Sequence, residues 1–287
     1  MAKISQYRRY TRSTAGNIGY FTLLILISIV MVFPLVYCIV TSFKPLDELL
    51  IFPPKFIVER PTLGNYLAIP ALLSNMDVPV SRYFFNTVFI TVVTNIGSII
   101  IGSMAAFTFS KSKLKGARFC FVLITTMMLY HGATLNVPQY LIFSKLGLID
   151  TYSGYIIPHL ASTVHCFLMK QFMDASVNQS LLEAARIDGA GVISIYWKIV
   201  MPIMKPAVMT VLLFSFQSMW SAVPGGTIFS EQLKTLPYAM SAISAGGIAR
   251  QGSSMAITVI LMIPPILVFL ITQSNVMETM SSSGIKE

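Results

Sequence analysis

One stretch of the chain has residue types and spacing suited to docking. Residues 174–206 separate two long apolar runs and contain charge, small residues, glycine and proline. Glu183 and Asp188 offer carboxylates that can pair with basic residues of another protein. Ala184 and Ala185 lie between them and allow a close approach. This pattern favours recognition of a partner rather than acid–base catalysis.

Polar side chains inside or beside apolar runs form a second group of candidates. Amides hydrogen-bond to hydroxyl groups, and an aromatic ring offers an apolar platform, so these residues suit a hydroxylated ligand. The four candidates are Asn86, Asn136, Gln217 and Trp220. Gln217 and Trp220 are three residues apart and share one helical face. Packing and hydrogen bonding between helices is the alternative explanation for these residues.

The remaining reactive residues suggest neither a metal site nor a nucleotide site. His159 and His165 are six residues apart, so they lack a metal-ligand spacing on one face. Cys38, Cys120 and Cys166 have no CxxC spacing, and we expect them to be small buried apolar residues. The sequence has no GxxxxGK[ST] phosphate loop. We therefore expect no metal or cofactor in this chain, and any ATP hydrolysis would need another subunit.

The composition is that of a membrane protein. Hydrophobic residues make up 55% of the 287 positions and charged residues 11%, against about 25% charged in soluble domains. Six runs without Asp, Glu, Lys or Arg are each at least 19 residues long, and about 20 helical residues cross a ~30 Å hydrocarbon core. We predict an all-α polytopic protein with a single membrane domain over residues 1–287. Its six transmembrane helices are predicted at about 18–42, 83–109, 119–143, 151–172, 207–229 and 254–277.

The distribution of basic residues predicts the orientation. Lys and Arg number 13 on the side of the N-terminus and 7 on the other side, and the richer side is cytoplasmic. Both termini and the loop 174–206 are therefore expected in the cytoplasm. The first run is too long for a signal peptide, so we expect it to be retained as a span. The net charge of +9 indicates this topology and contact with anionic lipid rather than nucleic-acid binding.

The loop 174–206 is predicted to begin with a short helix. Ser180 and Glu183 match a capping box, which places the start at about Leu181. Gly189, after Asp188, can adopt the left-handed conformation that ends a helix.

A second short helix should follow and give the loop a fixed bend. One apolar face is predicted from the spacing of Ile193, Tyr196, Trp197 and Val200. Pro202 and Pro206 should then break the chain before the fifth span. Because such short helices are unstable alone in water, they must pack on their own spans or on a partner.

The same loop carries a family pattern. Glu183-Ala184-Ala185, then three residues, Gly189, nine residues and Ile199-x-Met201-Pro202 resembles the cytoplasmic signature loop of ABC importer permease subunits. Met201 stands where that family has Leu, a volume-conserving change. The variant EAARIDGAG is similar to the carbohydrate-uptake branch. The segments FPLVYCIVTSFKPLDELL, PTLGNY and LGLIDTYSGYIIP resemble maltose-type second permease subunits.

The resemblance implies a type I ABC importer permease in the bacterial inner or plasma membrane. Its partners would be a second permease subunit, usually in a heterodimer, a dimer of ABC ATPase subunits that holds ATP and Mg, and an extracytoplasmic solute-binding protein. The substrate would be a sugar or oligosaccharide. Glu183 would pair with an Arg of the ATPase and Gly189 would set the bend. The residues implied in ATPase coupling are Glu183, Ala184, Ala185, Asp188, Gly189 and Pro202.

The resemblance also implies that the loop between spans five and six reaches the binding protein, although an ordinary surface turn is the alternative. The residues concerned are Ala245, Gly246, Gly247 and Arg250.

Other functions are less consistent with the sequence. An ABC permease for a non-sugar solute, such as a polyamine or a phosphonate, would share the signature loop. A secondary transporter that works without ATP should carry charged residues within its spans, and the six runs have none. A membrane enzyme would need an acid–base constellation that the spans do not offer.

The resemblance also bears on the candidates for ligand contact. In the maltose-type system the other permease subunit makes most sugar contacts.

Overall fold

The computed structural model describes residues 14–74, 78–112, 114–130, 132–223 and 225–284. Every regular element in these ranges is helical, which confirms the predicted all-α class. Residues 1–13, whose basic side chains entered the orientation prediction, lie outside the described part of the chain.

Fourteen α-helices are present in the described residues, and three tighter or wider helical turns join them. The turns are Tyr196–Val200, Glu231–Leu233 and Ile248–Arg250. The helices are α1 (Thr14–Ser42), α2 (Leu46–Leu49), α3 (Gly64–Ser74), α4 (Val80–Lys111), α5 (Ala117–Met127), α6 (Gly132–Lys145), α7 (Tyr152–Leu160), α8 (Thr163–Ser176), α9 (Gln179–Ile187), α10 (Val192–Ile195), α11 (Met201–Ile203), α12 (Lys205–Trp220), α13 (Leu236–Ser244) and α14 (Gln251–Gly284).

The chain falls into two compact units, and the first contains residues up to 68 together with 247–259. Side chains organise the segment that follows α1. The Asn65 amide donates to the carbonyl oxygens of Ser42 at 2.8 Å and Lys44 at 2.7 Å, near the end of that helix. The buried Glu48 carboxylate accepts from the backbone N–H of Arg60 at 2.8 Å. These bonds give the segment a defined structure, because buried carbonyl and carboxylate oxygens need donors.

The second unit contains residues 69–246 and the chain from residue 260 onward, with α4 at its centre. Helices α7, α8, α12 and α13 all pack on α4. Two small residues of α4, Ser98 and Gly102, lie against α8. Ser98 Oγ is 2.6 Å from His165 Nδ1, and a Cβ added at Gly102 would be 3.7 Å from His165 Cβ. Small residues on α4 therefore allow this close approach.

Among the residues that the structure describes, three helices are long and apolar enough to cross a membrane: Gly16–Ser42, Val80–Lys111 and Ile248–Met277. A fourth candidate is the pair Val192–Ile203 and Lys205–Trp220, which is bent by 79°. The third and fourth predicted runs each form two shorter helices, α5 with α6 and α7 with α8.

The helix of the fifth run ends at Trp220, nine residues before the predicted limit of 229. The sequence Pro224-Gly225-Gly226 disfavours continuation of a helix. The Thr235 hydroxyl donates to the Ala222 carbonyl oxygen at 2.8 Å, which fixes the chain beyond the helix end.

Candidate functional site

The first helix of the loop 174–206 begins earlier than predicted. Helix α9 starts at Gln179, and Asn178 occupies the N-cap position in an extended conformation. Ser180 lies inside the first turn, so the predicted capping box with Glu183 is wrong. The Glu183 carboxylate instead accepts from the Gln179 side-chain amide at 3.3 Å. Asn178 is a favoured N-cap residue by type, but its side chain makes no cap hydrogen bond in this structure.

The end of α9 is as predicted. Gly189 has a φ of +83°, in the left-handed region that favours glycine. Its N–H donates to the Arg186 carbonyl at 3.0 Å, and the Ala190 N–H donates to the Ala185 carbonyl at 2.9 Å. This pair of bonds is the Schellman arrangement, which satisfies the last carbonyls of a helix and turns the chain sharply.

The second part of the loop has a different register from the predicted one. Helix α10 continues into a wider, π-helical turn over Tyr196–Val200 before α11. The predicted apolar face is therefore only half right: Tyr196 and Val200 are buried, but Ile193 is 75% exposed and Trp197 50% exposed. Ile195 is buried instead of Ile193 and Trp197. In a π-helical turn the backbone hydrogen bonds join residues five apart instead of four, which changes the residues that share one face.

The inner face of the loop packs on its own helices. We define the inner face as Leu182, Ala185, Ile195, Tyr196 and Val200. These side chains share one buried apolar cluster with residues of α4, α8 and α12, among them Ala106, Phe107, Met169, Met173, Ala207 and Val211.

A polar contact reinforces this cluster. The Tyr196 hydroxyl lies 2.6 Å from Ser103 Oγ of α4, and both groups are buried. The Tyr196 ring also packs on Phe107, with 5.7 Å between ring centroids. The loop is therefore fixed to three helices. Of the two predicted possibilities, packing on its own spans or on a partner, the structure has the first.

The outer face of the same loop is exposed and rich in apolar side chains. We define the outer face as Leu181, Ala184, Ile187, Val192, Ile193 and Trp197. Ile187 is 87% exposed. Glu183, Asp188 and Gly189 are exposed beside these residues. Exposed large apolar residues of this density are typical of a surface that binds a partner.

The predicted break before the fifth span is present. Helix α11 contains Pro202, and α12 begins at Lys205 with Pro206 as its second residue. Pro206 has no N–H to donate to the Pro202 carbonyl, so the helix cannot continue straight. The 79° bend between the loop helices and α12 results.

Asn86 connects three parts of the chain through hydrogen bonds. Its side chain is fully buried. Its amide nitrogen donates to the carbonyl oxygens of Gln232 and Lys234, both at 2.8 Å, and its oxygen accepts from the Tyr152 hydroxyl at 2.7 Å. The residue thus ties α4 to the start of α7 and to the segment before α13. Its polar groups already have partners in this conformation.

Trp220 is buried and satisfies a backbone group in α14. Its indole N–H donates to the Leu261 carbonyl oxygen at 3.0 Å. In a regular helix that carbonyl would accept from residue 265, which here is Pro265 and has no N–H. Gln217 lies three residues before Trp220 but is exposed. The two residues therefore occupy different environments despite their spacing.

Asn136 is exposed and lines a cavity of about 430 Å³ in the second unit. The cavity lies between α6, α7, the end of α12 and residues 225–227. The lining also contains His159, a polar residue of the fourth predicted span, and five polar residues that sequence reasoning missed: Gln139, Tyr140, Tyr155, Ser218 and Thr227. The spacing of Asn136, Gln139 and Tyr140, which places them on one face of α6, could have indicated them.

Residues 225–238 are held by a polar network that the sequence did not predict. The Asp150 carboxylate accepts from the Ser230 hydroxyl, the Ser230 N–H at 2.8 Å and the Phe229 N–H at 3.0 Å. These bonds, the Ser230 hydroxyl above all, lower the pKa of Asp150 below its ordinary value. Burial acts to lower the pKa of Lys234, but hydrogen bonds to Glu231 and Tyr238 outweigh it and raise that pKa.

The segment before α14 is an exposed turn. Ala245, Gly246, Gly247 and Arg250 are all exposed. Gly247 has a φ of +70°, which favours glycine there. A short 3₁₀ turn over Ile248–Arg250 then leads into α14. Within the described residues, no three His, Cys, Asp or Glu side chains come close enough to hold a metal ion.

Comparison with known proteins identifies the fold and the class of protein to which the chain is similar. The chain is similar to a chain in the crystal structure of a bacterial ABC transporter involved in the import of the acidic polysaccharide alginate. The TM-score is 0.78 at 23% identity, over 93% of this chain and 99% of that chain. This likeness establishes the fold.

Two relatives indicate which subunit of an ABC transporter the chain resembles. The chain is 25% identical over 279 residues to the inner membrane ABC transporter permease protein YcjP of Escherichia coli K12, covering 96% of this chain and 98% of the relative. It is 26% identical over 268 residues to the arabinooligosaccharides transport system permease protein AraQ of Halalkalibacterium halodurans, covering 91% and 93%. No family model matches the chain. The protein is a permease subunit of an ABC transporter and resides in the bacterial cell membrane.

Proposed function

We propose that the chain is the membrane subunit of an ATP-driven importer for a sugar or oligosaccharide. Its relative AraQ is named for arabinooligosaccharides, and the transporter of similar fold is described as an alginate importer. Both names concern saccharides, which supports the same substrate class here. The chain itself is not an enzyme, and ATP and Mg bind to separate ATPase subunits in this proposal.

The two-faced loop is the observation that carries the proposal. Its inner face is buried against α4, α8 and α12, so a displacement of the loop acts on all three helices together. Its outer face leaves Ile187 and Ile193 exposed. Fully burying one such side chain is worth about 1.5–3 kcal/mol, which a docked ATPase subunit would gain. The loop therefore transmits ATPase movement into the membrane helices.

The residues of the loop take different parts in this coupling. Glu183 and Asp188 pair with basic residues at the rim of the ATPase site, and Ala184 allows close contact there. Gly189 holds the turn between the two short helices. Ala185, buried on the inner face, fixes the loop to the helices instead of touching the partner. Pro202 is exposed and acts through the bend before α12.

Further partners follow from the importer architecture. A second permease subunit completes the pathway, and a solute-binding protein delivers the saccharide outside the membrane. The exposed turn with Ala245, Gly246, Gly247 and Arg250 contacts that binding protein. The large apolar side chains of α1 are exposed in this chain, which suits lipid or the second permease. Asn136 and Gln217 are exposed candidates for the substrate pathway, whereas Asn86 and Trp220 would first have to release their present partners.

We also propose six spans with both termini in the cytoplasm. The spans are α1, α4, α5 with α6, α7 with α8, α12 and α14. The pair α7 and α8 contains 9 and 14 helical residues, and about 20 suffice to cross the bilayer core. A C-terminal green fluorescent protein should fluoresce and a C-terminal alkaline phosphatase should be inactive. An active phosphatase would contradict this orientation.

The coupling role is tested by charging the outer face. Ile187→Asp and Glu183→Lys should abolish ATP-dependent saccharide uptake and co-purification of the ATPase, while membrane insertion stays normal. Leu114→Asp is the matched control, because Leu114 is also exposed, at 57%, in a loop on the same predicted side of the membrane. Uptake at the wild-type rate by the Ile187→Asp complex would refute the proposal.

A further inference from the structure

The segment that follows α1 carries an exposed apolar loop. We define the apolar loop as residues 50–57, which form no regular helix or strand. Its largest exposed fractions are those of Phe52 at 92%, Ile57 at 75% and Leu50 at 62%. Apolar side chains at this density are unfavourable in water, so an apolar environment should cover them.

The apolar loop folds back along α1 instead of extending away from it. The Phe56 ring stacks on the Phe33 ring of α1, with 5.2 Å between the ring centroids and 17° between the ring planes. The Phe56 centroid is also 6.3 Å from that of Tyr37, which lies one helical turn further along α1. Phe33 precedes Ser42, the last residue of α1, by about 14 Å along the helix axis.

The contact between Phe56 and Phe33 sets the depth of the apolar loop in the membrane. The span Gly16–Ser42 has 27 residues and is therefore about 40 Å long, whereas the hydrocarbon core is about 30 Å thick. With the core centred on this span, its boundary lies about 5 Å inside the Ser42 end. Phe56 is then roughly 9 Å below that boundary. A protein that stays outside the membrane does not reach this depth, whereas lipid surrounds it.

The backbone and the charges of the apolar loop suit this position. Polar groups at membrane depth need partners within the protein. Pro53 and Pro54 have no N–H that needs an acceptor, and the Lys44 ammonium group donates to the Lys55 carbonyl oxygen. The Lys55 ammonium group is itself paired with the Glu59 carboxylate at 2.6 Å.

The charges around the apolar loop cancel. Three basic and three acidic residues lie between positions 44 and 60, and they are Lys44, Asp47, Glu48, Lys55, Glu59 and Arg60. The segment therefore has no excess charge to attract anionic lipid headgroups. Its attraction to a membrane comes from the burial of apolar side chains.

We infer that the apolar loop is a lipid-contact site, which inserts Phe52, Phe56 and Ile57 among the acyl chains beside α1. The inference rests on the proposed topology only for the leaflet concerned, which is the outer one. It assigns an occupant to a surface that coupling to the ATPase does not explain.

The test measures the depth of the apolar loop in the complete transporter, reconstituted in phosphatidylcholine nanodiscs. The three cysteines of the chain are replaced by alanine, and Ile57→Cys then carries an environment-sensitive fluorophore. Phe52→Cys is a second labelled site. Leu63→Cys is the matched control, because Leu63 is also exposed, at 60%, and follows Thr62, whose N–H donates to the Phe43 carbonyl beyond the end of α1. The signal of the complex without an engineered cysteine is subtracted.

Two quenchers report the environment of each label. A nitroxide midway along the lipid acyl chain should quench the labels at Ile57 and Phe52 more strongly than the label at Leu63. The quenching constant of aqueous iodide should be about fivefold lower at Ile57 than at Leu63, because an anion does not enter hydrocarbon. Replacing a third of the phosphatidylcholine by phosphatidylglycerol should leave both results unchanged, since the segment has no net charge.

Three outcomes would overturn the lipid contact. The first is iodide quenching at Ile57 and Phe52 as strong as at Leu63. The second is shielding from iodide without quenching by the nitroxide, which would show that another subunit covers the loop. The third is quenching by the nitroxide only in the presence of phosphatidylglycerol. None of these outcomes depends on transport, so normal saccharide uptake by the same complex would leave the importer function standing. Loss of uptake by the unlabelled wild type would instead refute the importer function and leave the lipid contact in place.

Discussion

Replacing Trp220 by Phe tests how α14 tolerates the missing backbone N–H of Pro265. The substitution keeps an aromatic ring that can stack on Phe216, whose ring centroid is 5.4 Å from that of Trp220. It removes the N–H that donates to the Leu261 carbonyl at 3.0 Å. Leaving a buried carbonyl without a donor costs about 1–3 kcal/mol. We therefore expect the midpoint of thermal unfolding to fall by roughly 3–8 °C.

The assay is thermal unfolding of the purified subunit in mild detergent. The fraction that remains folded after heating is measured by size-exclusion chromatography of a fluorescent fusion, because that signal does not depend on the tryptophans. Trp197→Phe is the matched control, because Trp197 is the other tryptophan of the chain and is half exposed. Pro265→Ala restores a backbone N–H four residues after Leu261, so the double variant Trp220→Phe/Pro265→Ala should regain most of the lost stability. If Pro265→Ala gives no rescue, the loss reflects the size of the indole and the hydrogen-bond explanation is wrong.

Two further predictions concern the inner face and the loop after α12. Leu182→Ala should lower the free energy of unfolding by about 2–5 kcal/mol because Leu182 is fully buried, whereas Leu181→Ala, on the outer face, should change it little; equal effects in thermal unfolding would contradict the two-faced loop. Hydrogen bonds lower the pKa of Asp150, so its contribution to stability is present above the unfolded pKa of about 4 and is lost as the pH falls through the lower folded value. The difference in unfolding midpoint between wild type and Asp150→Ala should therefore be constant from pH 5 to 8 and shrink below about pH 4, and a difference that instead varies between pH 6 and 8 would show that another group is responsible.

The sequence predicted what depends on composition and local chemistry. Charge-free runs identified the long helices α1, α4 and α14, because a charge inside a membrane helix is costly. Gly189 and the prolines at 202 and 206 predicted the turn and the break in the loop. These features depend on backbone conformations that individual residue types favour or forbid, so no tertiary information is needed to find them.

Other features of the loop could not be predicted, because the sequence allows more than one helix start and more than one helical register. Asn178 and Ser180 are both good cap residues by type, and in the folded chain Asn178 occupies the N-cap position of α9. The π-helical turn at Tyr196–Val200 moves Ile195 inward and Ile193 outward, which a regular 3.6-residue period cannot indicate.

The polar residues of the spans show the same limit. Asn86 and Trp220 were selected as candidates for ligand contact, but their partners, Gln232, Lys234 and Leu261, are 41 or more residues away in sequence. No local pattern reveals such pairs. Tyr155 lies inside a predicted span, and its burial with Ile90, Met219 and Ile228 depends on residues that are distant in sequence.

A structure of the assembled transporter by electron cryomicroscopy tests the central claim most directly. The account predicts that Ile187, 87% exposed in the isolated chain, is buried against an ATPase subunit, with Glu183 beside a basic residue of that subunit. It also predicts that Leu182 and Tyr196 keep their contacts with α4 and α8. An assembled complex in which Ile187 and Ile193 still face solvent, with no ATPase residue near the outer face, would contradict it.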